Sequence, residues 1–256
     1  CYFISNNANG GSGGGISSNY ASGNYINCVF SGNFAPAFGG AIYTTNLGNS
    51  NPPATTYTNC TIAGNRVMGT GGAMYNTDSA NAFVKNCIIY GNTAPFANNI
   101  LNNLSKIAVS NSLVEGGFSG TGNIDLNPNF TNPQLAAAAP TTLGDYRLQA
   151  CSPAVNAGDS TLLPIGTTHD LDSNARIRFT NVDMGAYEMQ AVDYNNTTWR
   201  GFNTNWDSVI NWCGGYIPTD STNVIIPTGV TNYPVISSNA FTKNILLANN
   251  TSVAIS

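Results

Sequence analysis

The side chains that could cleave a substrate are few in the first half of this sequence. Paired carboxylates perform the general acid and base chemistry of sugar-cleaving enzymes, and basic side chains or calcium often assist them. Residues 1–130 contain three acids and three bases, none at a regular spacing: Asp78, Glu115 and Asp125, with Arg66, Lys85 and Lys106. We therefore expect no catalytic site there, and we expect the chain not to be an enzyme.

A denser acidic group occupies residues 170–188. Asp170 and Asp172 form an Asp-x-Asp pair ahead of a turn, and Asp183 and Glu188 follow. Carboxylate oxygens are the ligands that Ca²⁺ prefers, so Asp170, Asp172 and Asp183 are a candidate calcium site. The alternative, which we favour, is that the acids form ion pairs that hold this segment onto the last turn of the repeats. The basic partners would be Arg147, Arg176 and Arg178.

Four of the six cysteines recur at long and similar intervals. The intervals are 27, 32 and 27 residues, and the positions are Cys1, Cys28, Cys60 and Cys87. This recurrence favours a buried column of free thiols, with a disulfide between neighbours as the alternative; we do not expect a metal site. Cys151 and Cys213 fall outside the pattern, and the sequence leaves open whether they pair.

Each recurring cysteine opens a longer motif, Cys-x-[Phe/Ile]-x-x-Asn, which marks the start of a repeat. The asparagines that end the motif are Asn6, Asn33, Asn65 and Asn92, and a degenerate fifth copy begins at Ser112. A second marker, Gly-Gly-Ala-Ile or a variant of it, begins at Gly13, Gly39, Gly71 and Ala97. Short alternating strands separated by Gly and Asn turns, without a helical run, predict a parallel β-solenoid with one repeat per turn.

Stacking explains why these residue types recur. Residues i and i+2 of a strand share a face, so each cysteine and the following Phe or Ile point to the same side. Successive turns of such a solenoid lie about 4.8 Å apart, so like residues stack and the motif asparagines can form an amide ladder. The longest repeat contains residues 49–53, which we expect to bulge out as an extra loop.

The two markers resemble the Gly-Gly-Ala-Ile and Phe-x-x-Asn tetrads of chlamydial-type polymorphic outer-membrane proteins. Residues 39–42 and 30–33 match both tetrads in full, and the resemblance extends over about residues 1–117. It implies a right-handed parallel β-helix on a bacterial cell surface. It brings no catalytic residues with it.

Residues 145–188 resemble the end of bacterial surface β-helix proteins of the choice-of-anchor type. The matching stretches are Leu-x-x-x-Ser-Pro-Ala at 148–154, Asp-x-Asp-x-x-x-Arg at 170–176 and Val-Asp-Met-Gly-Ala-Tyr-Glu at 182–188. Ser173 stands where the usual pattern has Gly. We expect a first domain at 1–190, with repeats over about 1–130 and a closing segment at 145–190. The closing segment would supply the last turns and cover the open end, where strand edges would otherwise stay unpaired.

A second, all-β domain is expected at 198–256, after a short polar link at 191–197. Its start is marked by Trp199, Trp206 and Trp212, and it resembles modules that follow β-helices in large secreted proteins of Bacteroidota. The tryptophans could fill the core of this module, which we favour, or form a sugar-stacking platform. Because both ends of the sequence fall inside predicted strands or turns, we expect the chain to be part of a longer protein.

Four serines follow an aspartate in a short motif that resembles the O-glycosylation motif of Bacteroidota. They are Ser79, Ser160, Ser208 and Ser221. Attached glycans would add solubility that charge does not supply. We predict glycosylation at these serines, with coincidence as the alternative.

The composition excludes several classes of partner. Only 8% of the residues are charged, and the eight Lys and Arg residues are scattered, so we expect no binding to nucleic acid. No apolar run approaches the roughly 20 residues that span a bilayer, so we expect no membrane insertion by this segment. A hydrophobic share of 42% still predicts a buried core.

The leading prediction is a non-catalytic protein, secreted to the extracellular face of the outer membrane by type IX secretion, that serves as a stalk or adhesin. Its expected partners are surface glycans or proteins of other cells, further copies or the remainder of its own chain, and the secretion machinery. One alternative is a polysaccharide lyase or hydrolase of the β-helix type, with acids supplied by further turns. The other is a subunit of an extracellular filament.

Overall fold

The computed structural model describes residues 1–46, 54–178, 181–190 and 193–256, and the loop predicted at 49–53 lies outside them. The strands up to residue 114 are β1 (Tyr2–Ile4), β2 (Ile16–Asn19), β3 (Asn24–Ile26), β4 (Val29–Ser31), β5 (Phe34–Ala35), β6 (Ile42–Thr45), β7 (Ala54–Thr58), β8 (Thr61–Ala63), β9 (Arg66–Val67), β10 (Met74–Thr77), β11 (Asn81–Lys85), β12 (Ile88–Tyr90), β13 (Ile100–Asn103), β14 (Lys106–Ser110) and β15 (Leu113–Val114). The later strands are β16 (Phe130–Asn132), β17 (Asp145–Leu148), β18 (Asn196–Thr198), β19 (Asn223–Ile226), β20 (Val235–Ile236), β21 (Asn244–Leu247) and β22 (Ala254–Ile255). Short 3-10 helices lie at Ala136–Ala138, Ser160–Leu162 and Val209–Asn211.

Three parallel sheets dominate the first half of the chain. Sheet A has the order β1-β4-β8-β12-β15, sheet B has β2-β6-β10-β13, and sheet C has β3-β7-β11-β14. Each strand pairs with the equivalent strand of the next repeat, as in the register Phe3–Phe30 and Phe30–Ile62. The prediction of an all-β chain built from stacked parallel strands is therefore confirmed.

The three sheets share one hydrophobic core. Alternate residues of a strand point to the same face, and here the inward row of each sheet is apolar. Phe30 and Ile62 of sheet A, Ile42 and Met74 of sheet B, and Tyr57 of sheet C are all fully buried in one cluster. Burying each of these side chains contributes about 2–3 kcal/mol before entropy costs. These columns of apolar residues therefore stabilise the contact between successive repeats.

The Gly-Gly-Ala-Ile marker forms a tight corner before each strand of sheet B. Gly39 has a φ of +62°, and a Cβ there would overlap the carbonyl oxygen of Ile42. At the next position, a Cβ on Gly40 would overlap the carbonyl oxygen of Gly72 in the following repeat. The first glycine is therefore needed for the turn and the second for the close stacking of repeats.

The closing segment packs along the side of sheet A, not over its open end. Tyr146, Met184 and Tyr187 of this segment, together with Phe130 in the preceding strand β16, form a second core with outward-facing residues from four of the strands of sheet A. Those residues are Val29, Ala63, Ile88 and Leu113. The expectation that residues 145–188 cover the end of the stack is wrong. The physical reason is that sheet A is apolar on both faces, so its outer face requires a covering layer.

A different segment covers the last strand of sheet A. The N–H of Val114 in β15 donates to the carbonyl of Ile124, and the N–H of Ile124 donates to the carbonyl of Ser112. Phe118, between these residues in sequence, packs against the main core. Residues 116–125 therefore satisfy part of the edge that the closing segment was expected to cover.

The C-terminal part of the chain contains further parallel strands. Strands β18, β19 and β21 form one parallel sheet, and β20 pairs with β22. Strand β18 begins at Asn196, inside the predicted link at 191–197, of which residues 191–192 lie outside the described part. No helix in the described ranges has the length and apolar character to cross a membrane.

Candidate functional site

The motif asparagines form a continuous hydrogen-bonded ladder. The side-chain amide of Asn6 donates to Oδ1 of Asn33 at 2.9 Å, Asn33 donates to Asn65 at 2.8 Å, and Asn65 donates to Asn92 at 2.9 Å. Each inner asparagine also donates to a backbone carbonyl of the preceding repeat, as Asn65 does to Phe30 at 2.9 Å. The ladder joins four repeats and continues through Asn99 to Glu115.

The recurring cysteines lie side by side at the start of neighbouring strands and remain free thiols. Cys28, Cys60 and Cys87 are buried, whereas Cys1 is exposed. The N–H of Cys60 donates to Sγ of Cys87 at 3.3 Å, and the N–H of Cys87 donates to Oγ of Ser112 at 3.0 Å. Ser112 therefore takes the cysteine's place in the degenerate fifth repeat. Burial raises the pKa of Cys60 well above its ordinary value, so this thiol stays protonated.

The carboxylates proposed as calcium ligands have other partners. Asp172 accepts from Nε and Nη2 of Arg147 at 2.6 and 2.8 Å. Asp170 accepts the N–H groups of Asp172 and Asn174, and Asp183 accepts those of Asn156 and Met189. Among the described residues, no three His, Cys, Asp or Glu side chains are placed to hold a metal ion. The structure thus gives no support to calcium at Asp170, Asp172 and Asp183.

Arg147 and Arg176 pair with acids inside the closing segment. Arg147 contacts Asp145 and Asp172, all within this segment. Arg176 is buried, and its Nη2 donates to the carbonyls of Asp183 and Gly185 at 2.7 Å. The favoured pairing of these acids with arginines is therefore confirmed for Asp172 and Glu188, and both ion pairs stabilise the closing segment itself. The links to the sheets are neutral, as where the Asn59 amide donates to the carbonyl of Asp183.

The closing segment buries a cluster of charged groups formed by Arg176, Glu188 and Asp183. Nε of Arg176 lies 3.8 Å from Oε2 of Glu188, and both side chains are inaccessible to solvent. Burial and the neighbouring Asp183 raise the pKa of Glu188 to about 8, and burial raises the pKa of Asp183 to about 6. Burial also lowers the pKa of Arg176. This cluster can hold a proton, but it is sealed from substrate.

The serines of the glycosylation motif differ in accessibility. Ser79 and Ser221 are exposed, and Ser79 lies in a turn between β10 and β11 with a φ of +64°. Ser160 and Ser208 are partly buried, and Oγ of Ser160 accepts the N–H of Val182. Ser79 and Ser221 are therefore the two motif serines that a modifying enzyme could reach most easily.

The three tryptophans form the core of the C-terminal part. Each is at most 1% exposed, and the rings of Trp199 and Trp206 both meet the ring of Trp212 edge-on at 4.8 Å. The interpretation as a core is confirmed, and the sugar-stacking interpretation is wrong.

Cys151 and Cys213, whose pairing the sequence left open, form a disulfide between the closing segment and the C-terminal part.

Four aromatic residues, of which Phe38 and Phe96 are exposed, lie instead at sheet B, at positions that the sequence patterns above did not single out. Phe38 and Phe96 immediately precede the Gly-Gly-Ala-Ile marker of their repeats, and Tyr43 and Tyr75 immediately follow it. The Phe38 ring stacks on the Tyr75 ring at 5.0 Å, and the two tyrosine rings are parallel at 5.8 Å. The recurrence of aromatic residues next to the marker was the available signal. We call these four residues the aromatic surface.

Comparison of the chain with protein-family models, with curated proteins and with solved structures gave no match.

Proposed function

We propose that residues 1–117 form a right-handed parallel β-helix. Within each repeat the chain passes from sheet A to sheet B to sheet C, and each sheet pairs equivalent strands of successive repeats in parallel. Connections between parallel strands of one sheet are almost always right-handed. A crystal structure tests this directly. A left-handed chain path, or sheets that do not enclose one common core, would contradict it.

The proposed role of this β-helix is a non-catalytic stalk or adhesive element on the outside of a bacterial cell. The observation that carries this proposal is the ladder of asparagines together with the thiol column, because they join successive repeats into one stiff unit. A stiff stack can hold binding surfaces away from a cell, and repeated weak contacts along it sum to avidity.

The disulfide supports the proposed extracellular location. Disulfides persist in oxidising compartments and are rare in the cytosol, and Cys151 and Cys213 join two parts of the chain. The low charge supports an arrangement in which neutral polar side chains and glycans supply solubility. Secretion by the type IX route remains part of this proposal.

Location is tested by adding proteinase K to intact producing cells and probing with an antibody against this chain. We expect cleavage without lysis. Full protection in intact cells combined with cleavage after lysis would contradict surface exposure.

Adhesion is tested with beads that carry the purified chain, incubated with intact cells of other species or strains. We expect these beads to bind cells more than beads carrying unfolded, carboxymethylated chain.

The absence of catalysis is tested by incubating the chain with pectin, alginate and glucans. These polysaccharides should keep their length; shortened products would favour the polysaccharide-cleaving alternative.

A filament subunit is the second candidate, and strand β21 favours it. All four of its residues are exposed, including Ile245, Leu246 and Leu247, and it lies at the edge of its sheet. An apolar edge strand is a template for pairing with another chain. Electron microscopy should show fibres that the Leu246→Lys variant fails to form; monodisperse wild-type particles would contradict this candidate.

A further inference from the structure

The aromatic surface lies across successive repeats beside sheet B. Phe38 is aligned with Thr70 in the next repeat, and Thr70 is aligned with Phe96 in the repeat after that. Phe38 is 40% exposed and Phe96 is 67% exposed, whereas Tyr75 is nearly buried beside the Phe38 ring. The tyrosine rings therefore pack against the Phe38 ring, and Thr70 lies between the two exposed phenylalanines.

The polar groups around these rings are neutral. Thr70 is partly exposed between the two phenylalanines. The side-chain amide of Asn103 donates to the hydroxyl of Tyr75 at 3.3 Å, and Asn98 is exposed in the Phe96 repeat. Aromatic faces, amides and hydroxyls without charge complement a ligand that has both C–H faces and hydroxyl groups and that is itself uncharged.

We propose that the aromatic surface binds a neutral oligosaccharide. A sugar ring presents an apolar C–H face that packs on an aromatic ring, and its hydroxyls pair with amide and hydroxyl side chains. Phe38 and Phe96 are two strand spacings apart, about 9.6 Å, a separation comparable with two linked sugar units. This inference rests on the proposed adhesive role and names the class of ligand for it.

Other occupants fit this surface less well. A peptide cannot add to sheet B here, because β6 and β10 already have a paired strand on each side. A stable protein interface buries about 800 Å² on each partner, which is far more than a few aromatic side chains offer. A polyanionic glycan or nucleic acid would need basic side chains, and none of the residues that form the surface is basic.

Affinity electrophoresis tests the proposal with the whole chain. Native gels are cast with soluble neutral polysaccharides (mannan, galactomannan, xyloglucan and mixed-linkage β-glucan) or with polygalacturonate or heparin as charged probes. We expect at least one neutral polysaccharide to retard the chain. The Phe38→Ala/Phe96→Ala variant should bind that polysaccharide about tenfold more weakly or worse, as expected for the loss of central aromatic anchors.

The matched control is Phe83→Ala. Phe83 is 42% exposed, close to the exposure of Phe38, but it lies on β11 in sheet C. We expect this variant to be retarded like the unaltered chain, and far-UV circular dichroism should show that all variants are folded. Retardation by charged probes alone, by none of the neutral ones, or undiminished in the double variant would overturn the proposal.

Two further outcomes separate this inference from the proposed function. If the double variant is retarded by the neutral polysaccharide like the unaltered chain and its beads still bind cells, the adhesive role stands and the oligosaccharide site is wrong. If neutral polysaccharide binding is lost in the double variant and cell binding is lost with it, the oligosaccharide site accounts for the adhesion.

Discussion

At the scale of single residues, the contribution of each ladder asparagine to stability depends on its position in the ladder. Asn65 is fully buried, accepts the N–H and amide of Asn33, and donates to Asn92 and Phe30. Asn6 is exposed and donates in one direction only, to Asn33. The same side chain therefore satisfies buried backbone groups inside the stack but few of them at its edge.

We expect Asn65→Ala to lower the free energy of unfolding by about 3 kcal/mol, because buried donors in the neighbouring repeat lose their acceptor. Asn6→Ala is the control and should cost less than about 1 kcal/mol, because water replaces its bonds. Guanidinium unfolding followed by circular dichroism measures both. Equal losses for the two variants would show that the ladder is not a structural element.

Burial of the thiol column predicts that most of the free cysteines are unreactive in the folded protein. Cys28, Cys60 and Cys87 are buried and Cys1 is exposed. A hydrogen bond with Cys60, together with burial, raises the pKa of Cys28, and burial raises the pKa of Cys60. Because the thiolate is the reactive form, both thiols should be unreactive. Ellman's reagent should therefore titrate one thiol in the native protein and four after unfolding without reductant. Rapid titration of more than one native thiol would contradict a closed column.

At the scale of elements, the closing segment depends on a glycine that allows close approach. Gly185 has a φ of +93°, and a Cβ there would lie 2.8 Å from Cδ1 of Ile88 and from Oγ1 of Thr61. Its N–H donates to the carbonyl of Asn86 in the stack. The glycine in Val-Asp-Met-Gly-Ala-Tyr-Glu therefore serves contact with sheet A as well as the turn itself.

Gly185→Ala should lower the free energy of unfolding by about 3 kcal/mol, because both backbone strain and overpacking oppose it. The control is Gly166→Ala, where φ is +87° and a Cβ would meet nothing within 4 Å. It should cost about 1 kcal/mol from backbone strain alone. Urea unfolding compares the two variants, and indistinguishable values would mean that the segment does not pack tightly on sheet A.

The buried acid of the closing segment predicts a dependence on pH. Folding raises the pKa of Glu188 to about 8, from about 4.3 in an unfolded chain. Between these values the folded state holds a proton that the unfolded state releases, so stability falls as pH rises through this range. Asp183 adds to the effect of burial, whereas Arg176 lowers the pKa of Glu188. Asp170 also faces this site, where it accepts the N–H of Glu188.

We expect the unaltered protein to lose about 3 to 4 kcal/mol more of its free energy of unfolding between pH 5 and pH 8 than Glu188→Gln does. The amide variant keeps the size of the side chain but cannot ionise, which isolates the contribution of this group. Urea unfolding at both pH values provides the measurement. Parallel losses in the two proteins would show that Glu188 titrates normally.

The repeats could be predicted from the sequence because each one carries its own markers, but the position of the closing segment could not. A local motif such as that at 182–188 identifies a segment without showing which surface it meets. The missed signal lay in the strands of sheet A. Val29, Ile88 and Leu113 alternate with inward-facing residues, so the sheet is apolar on both faces, which is typical of strands covered on both sides.

At the scale of the whole molecule, a junction joins the closing segment to the C-terminal part. The disulfide connects Cys151 and Cys213 with their Cα atoms 4.4 Å apart, and the Asn156 amide donates to the carbonyl of Gly214 at 3.0 Å. The sequence could not show this pairing, because two cysteines in different segments give no information about distance. The two parts are therefore joined by a covalent bond as well as by a hydrogen bond.

The disulfide at this junction should stabilise the C-terminal part of the chain. The disulfide closes a loop with a sequence separation of 62 residues, and cross-linking a loop of that length stabilises the folded state by about 4 kcal/mol through the entropy of the unfolded chain. The Cys151→Ser/Cys213→Ser variant should therefore unfold its C-terminal part at lower guanidinium concentration. Tryptophan fluorescence reports this part selectively, because Trp199, Trp206 and Trp212 are all buried within it. Cys1→Ser is the control and should leave the transition unchanged, whereas an unshifted transition in the double variant would mean that the hydrogen bonds at the junction suffice without the disulfide.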